Sequence, residues 1–158
     1  MAAILVSIVA IVAADFYLSR WIADLLLEKG TTITLIKGII GLRYCENTGA
    51  AFSIFEEHQL ALTIVTLVIL AALLVYLLVK RKTFSTLTRV SFVMVLAGGF
   101  CNLLNRAVYG YVIDYFEFLF TDYAIFNISD VLITVGAVLL VLSVIIDDSR
   151  KRRSGAEA

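Results

Sequence analysis

Four apolar blocks organise this chain, at about 2–18, 61–79, 87–106 and 127–146. Each is close to the ~20 mainly apolar residues that a helix needs to cross a bilayer core. The pattern predicts four spanning helices within a single membrane domain covering residues 1–158. Non-spanning stretches lie between and after them, at 20–58, 80–89, 107–126 and 147–158. The chain has no proline, so nothing breaks the helices by that route. The first block lacks a basic leading region and a small-residue cleavage site before a soluble domain, so it is expected to be a retained helix.

Composition supports lipid as the solvent. Hydrophobic residues make up 61% of the 158 positions, against about 45–50% for a soluble domain. Net charge is zero, but its distribution is uneven. Segments 80–89 and 147–158 hold eight basic and three acidic residues, against five and ten in the remainder. The positive-inside rule puts these two segments in the cytoplasm. Four spans then place both termini there, and 20–58 and 107–126 on the extracytoplasmic face. The basic tail is a topology anchor, and no nucleic-acid partner is expected. Nothing signals a stable oligomer, so a monomer is expected.

The outward stretches differ in character. Thr31–Ile36 is rich in β-branched residues and reads as a strand, with Ile39–Tyr44 pairing back on it. Residues 107–126 carry Tyr109, Tyr111, Tyr115, Phe116, Phe118, Phe120, Tyr123 and Phe126. Aromatics of this kind favour the headgroup layer, so an interfacial loop or helix is expected. The predicted class is an all-α polytopic membrane protein: four transmembrane helices, a small extracytoplasmic β element and an interfacial loop/helix. Cys45 and Cys101 read as unpaired, unrelated thiols. No cluster has metal-ligand spacing, and His58 reads as an interfacial residue at the start of the second span.

The candidate chemistry lies at one depth. Asp114 closes a segment of the 107–126 stretch, and Asp130 opens the last apolar block. Carboxylates in or bordering lipid are costly and point to function. Asn127 and Asp130 share a helix face, as do Asn102, Asn105 and Arg106. Asp15 lies near the outer end of the first span. Asn and Arg at helix ends also serve as interhelical glue or snorkel to headgroups. Two carboxylates that approach closely resist ionising together, and such a pair suits hydrolysis by a general base and a general acid. Gly49 permits a turn or close approach just before the second span, and Gly98-Gly99 permit close helix contact.

Taken in order, four motifs resemble the lipoprotein signal peptidase (signal peptidase II) family of bacterial aspartyl intramembrane proteases. They are Asn47-Thr-Gly-Ala-Ala-Phe52, Gly98-Gly-Phe-Cys-Asn102-Leu-Leu-Asn105-Arg106, Gly110-Tyr-Val-Ile-Asp114-Tyr-Phe116 and Phe126-Asn-Ile-Ser-Asp130. The resemblance implies that Asp114 and Asp130 are a catalytic dyad. It implies that Asp15, Asn47, Gly49, Asn102, Arg106 and Asn127 bind substrate or brace the site. It further implies removal of the signal peptide from diacylglyceryl-modified prolipoproteins, by a cut just before the lipidated cysteine. No cofactor or metal is expected. Membrane lipid and globomycin-type inhibitors are the other expected partners, and the bacterial cytoplasmic (inner) membrane is the expected location.

The chain departs from the family pattern at four positions, the first being Phe16, which follows Asp15 where the family has Gln. Asn105 stands where the family has Asp, Cys101 where it has Gly, and Ser19 where a lysine follows the first aspartate. Arg106 is therefore expected to be held by a hydrogen bond or by another carboxylate, with activity retained. The alternative is an impaired relative that binds lipoprotein precursors without cleaving them. A proton-conducting transporter subunit would instead spread carboxylates over several depths, whereas these collect near one face.

Overall fold

The computed structural model describes residues 1–30, 32–49 and 59–156, with backbone alone for Gln59 and residues 150–156. Thr31, His58 and the Ala50–Phe52 part of the first motif lie outside the described residues, as do the side chains of the basic tail. In chain order the elements are α1 (Ala2–Lys29), β1 (Ile33–Ile36), β2 (Ile40–Asn47), α2 (Gln59–Lys80), α3 (Thr86–Tyr109), β3 (Val112–Phe118) and α4 (Ile128–Ala156). All four helices are long and apolar enough to cross a membrane. Their outward faces are greasy: Val68 and Val79 of α2 are 61% and 70% exposed. Water would penalise such a surface, whereas lipid does not.

Helix α3 is the most enclosed of the four and packs against the other three. Gly98 is what lets α4 come so close. A Cβ there would collide with the Ser129 carbonyl oxygen and reach 2.9 Å from Ile133. Gly136 of α4 answers from the other side, against Met94 and Val95. Leu96 and Ala97 of α3 join Ile8, Leu70 and Leu77 in the apolar core between the helices.

Helix α1 runs on to Lys29, past the span end expected near residue 18. The sequence there stays amphipathic. Arg20 and Asp24 pair at 2.7 Å on the exposed face, an i,i+4 arrangement that supports a helix. Ile22, Ala23 and Leu26 form the opposite face and are buried against Ile113 and Tyr115 of β3. The last turns of α1 are thus a pedestal for the sheet.

The sheet is antiparallel, in the order β1-β2-β3. Its first hairpin matches the expected pairing of the 31–44 stretch, and β2 extends further, to Asn47. The third strand lies in the aromatic stretch read as an interfacial loop or helix. It pairs with β2 through Leu42↔Phe116, Cys45↔Asp114 and Asn47↔Val112, with a register shift between Leu42 and Cys45. Gly110 makes this possible. It ends α3 at φ 81°, a left-handed conformation that side chains disfavour, and turns the chain directly into β3.

Candidate active site

Four elements, β2, α3, β3 and α4, deliver the two aspartates and their partners to one place. Asp114 is on β3 and 1% exposed. Asp130 is in the first turn of α4. The chain between them doubles back because Phe126 bridges to Phe116, with the amides of Tyr115 and Phe116 donating to the Phe126 carbonyl at 3.1 and 2.7 Å. That bridge seats Asn127 beside Asp114.

Asn127 does two jobs. Its side-chain carbonyl accepts from the Asp130 amide at 2.9 Å, and its own amide N–H donates to Asp130 Oδ2 at 3.1 Å. This is a reciprocal cap at the start of α4, with a carboxylate in the position usually held by Glu or Gln. Its Nδ2 donates to Asp114 Oδ1 at 2.7 Å and to Asn102 Oδ1 at 3.1 Å. Asn102 Nδ2 in turn donates to Asp130 Oδ1 at 2.9 Å. Asn47, the last residue of β2, donates from Nδ2 to Asp114 Oδ2 at 2.8 Å. The two carboxylates are therefore joined through Asn127 and Asn102, and each of their four oxygens accepts a hydrogen bond.

Arg106 and Gly49 close the outer side. The Asn47 side chain accepts from the Gly49 amide at 3.1 Å, and Arg106 donates to the Gly49 carbonyl at 3.1 Å. Arg106 attracts both Asp114 and Asp130 electrostatically. Its Nε has no hydrogen-bond partner among the described residues. The support expected for Arg106 is thus a backbone carbonyl and the field of the two aspartates, not Asn105.

Burial pushes the Asp114 carboxyl up to about 7, and the neighbouring Asp130 charge adds to the effect. Hydrogen bonds from Asn47 and Asn127, and the Arg106 charge, act in the opposite direction. Asp114 therefore keeps its proton close to neutral pH. Asp130 lies at the positive end of the α4 dipole, where negative charge is favoured. It also borders a cavity of about 230 Å³ walled by Phe118, Tyr123, Phe126 and Val131. A greasy approach thus leads to one carboxylate. A larger crevice of about 540 Å³ between α1, α2 and α3 has an almost wholly apolar lining and none of these residues.

Asp15 is 4% exposed and feels the Asp130 charge, and its Oδ2 accepts from Ser129 Oγ at 2.8 Å. Cys101, Asn105 and Ser19 lie in the same region. Cys101 interacts with Asp15 and Ser129. Asn105 donates to the Cys101 carbonyl at 3.1 Å, and Ser19 interacts with Tyr115. All three are buried and none lines the cavity beside Asp130. Cys45 and Cys101 are both free thiols. Sequence reasoning missed Ser129 and Tyr115 as supports. Each is the immediate neighbour of a candidate aspartate, which was the available signal.

Comparison with known proteins agrees with this architecture. A family model described as Signal peptidase (SPase) II matches residues 7–146. The lipoprotein signal peptidase of Clostridium acetobutylicum is 37% identical over 134 residues, covering 83% of this chain and 86% of that protein. That of Streptococcus thermophilus is 37% identical over 141 residues, covering 89% and 90%. A solved bacterial membrane enzyme superposes with a TM-score of 0.80 at 25% identity, covering 96% of this chain and 92% of the other.

Proposed function

Since the chain belongs to the signal peptidase II family, we propose that Asp114 and Asp130 are the acid and base of an intramembrane aspartyl endopeptidase. The substrate is a prolipoprotein carrying a diacylglyceryl group, cut just before the lipidated cysteine. The observation that carries this reading is the hydrogen-bond chain Asn47–Asp114–Asn127–Asn102–Asp130. It couples one aspartate that retains its proton near neutral pH to another beside an apolar cavity.

The precursor enters sideways from lipid, with apolar surface against the aromatic wall of that cavity. Asp130, as carboxylate, takes a proton from water, and the water oxygen bonds to the scissile carbonyl carbon. Asp114 gives its proton to the departing amine nitrogen as the C–N bond breaks. Passing the captured proton from Asp130 to Asp114 resets the pair. Asn127 has both side-chain N–H groups committed, to Asp114 and Asn102. Asn102 uses one for Asp130. Its second N–H is thus the better donor to the developing oxyanion. No step calls for a metal or an organic cofactor.

The dyad and the sheet face the extracytoplasmic side, both termini are cytoplasmic, and the protein acts as a monomer open to globomycin-type inhibitors. The test is a gel-shift assay with purified protein in detergent and a diacylglyceryl-modified prolipoprotein, beside Asp114→Asn and Asp130→Asn. Wild type should release the signal peptide. Each variant should lose at least ~10²-fold in rate, the lower end of what a positioned acid or base contributes, while still inserting in the membrane. Near-normal cleavage by either variant would sink the dyad assignment.

A further inference from the structure

We propose that the hydroxyls of Tyr115 and Ser129 are positioning groups that fasten the first turn of α4 to α1 and so hold Asp130 in register with Asp114. The inference rests on the dyad reading above. Both residues are fully buried, at 0% exposure, and neither lines the cavity beside Asp130. Each follows or precedes an aspartate of the pair in sequence.

Ser129 Oγ reaches Asp15 Oδ2 of α1 at 2.8 Å. Tyr115 Oη accepts the Ile128 N–H at 3.3 Å and interacts with Ser19, one turn beyond Asp15 on α1. The Tyr115 ring is fixed among Ile22, Ala23 and Leu26 of the same helix. The first N–H groups of any helix lack partners within it. In α4, the Asp130 amide is satisfied by Asn127 and the Ile128 amide by Tyr115.

These ties add an anchor on α1 to those the asparagines make on α3 and β3. Asn127 and Asn102 tie this turn to β3 and α3, and the Gly98 contact sets how closely α3 and α4 approach. Ser129 bonds α1 directly and Tyr115 bridges Ile128 to Ser19 of α1, so the turn is held from a third side. Tyr115 and Ser129 are fully buried, so losing either bond leaves a buried polar group without that partner. Misplacement by ~1 Å at a reacting group costs about 10²-fold in rate, so a loosened turn has a kinetic signature.

The test compares wild type, Tyr115→Phe, Ser129→Ala and the double variant. The readouts are cleavage of the lipid-modified precursor as a function of pH, thermal stability, and amide hydrogen exchange in peptides spanning 126–134. Each single variant should lower kcat roughly 10-fold while KM stays within about twofold. The double variant should lose less than the product, because both bonds act on one turn. As Asp130 drifts, its charge raises Asp114 less, so the basic limb of the rate profile should move to lower pH. Exchange in 126–134 should quicken.

Unchanged kcat and exchange would overturn the proposal, as would a rate loss that tracks unfolding with the pH limb fixed. If wild type fails to cleave, the dyad reading falls on its own. Exchange at 126–134 then still decides the brace: faster in the variants supports it, unchanged overturns it. Should Ser129→Ala fail to fold because Asp15 loses its donor, Tyr115→Phe, which keeps the ring volume, decides alone.

Discussion

Asp114 is sealed between two asparagine amides, while Asp130 borders a cavity, and the proposed roles of acid and base follow this asymmetry. The cleavage rate should trace a bell against pH. Its basic limb lies near 7, because Asp114 must keep its proton to act as the acid. Asn47→Ala should move that limb upward. The Asn47 hydrogen bond favours the charged carboxylate, so its removal lets burial hold the proton to higher pH. A rate profile measured on the purified variant checks the sign, and a downward shift contradicts it. The aspartates and asparagines were legible in the sequence because polar residues near lipid stand out against an apolar background. The division of labour proposed for Asn102 and Asn127 was not, since it rests on their hydrogen bonds among the described residues.

At the scale of elements, the site depends on how near α3 comes to α4 and on where β3 begins. Gly98→Ala puts a Cβ against the Ser129 carbonyl and Ile133. Backbone must shift to admit it, an overpacking that typically costs about 1–3 kcal/mol. The variant should melt earlier and lose kcat as Asn102 and Asp130 move apart, measurable by thermal unfolding in detergent alongside the cleavage assay. The spanning helices were readable from hydropathy alone. The strand carrying Asp114 was not. Val112, Ile113, Asp114 and Tyr115 are buried in succession, so the alternation that marks a half-exposed strand is missing. The extension of α1 was hidden for a related reason: its inner face becomes apolar interior only once the sheet rests on it.

For the whole molecule, the basic segments at 80–89 and 147–158 predict orientation. Green fluorescent protein fused after Ala158 should fluoresce, and alkaline phosphatase fused after Phe120 should be active. The reverse result would invert the topology and put the dyad at the cytoplasmic face. Chain composition by itself determined that lipid is the solvent, that four helices cross it, and which polar residues collect at one depth. These depend on local quantities: side-chain hydrophobicity summed over ~20 positions and the cost of charge in hydrocarbon. Tertiary structure alone decided that Asp114 and Asp130 share a bonded network. One arrives on a strand paired to β2 and the other at a helix start capped by Asn127. Their meeting depends on Gly110 turning the chain, Gly98 admitting α4 and the 116–126 bridge folding it back. Such long-range encounters have no period in the sequence, because each contact is made by residues whose spacing is set by the fold and not by the helix or strand that carries them.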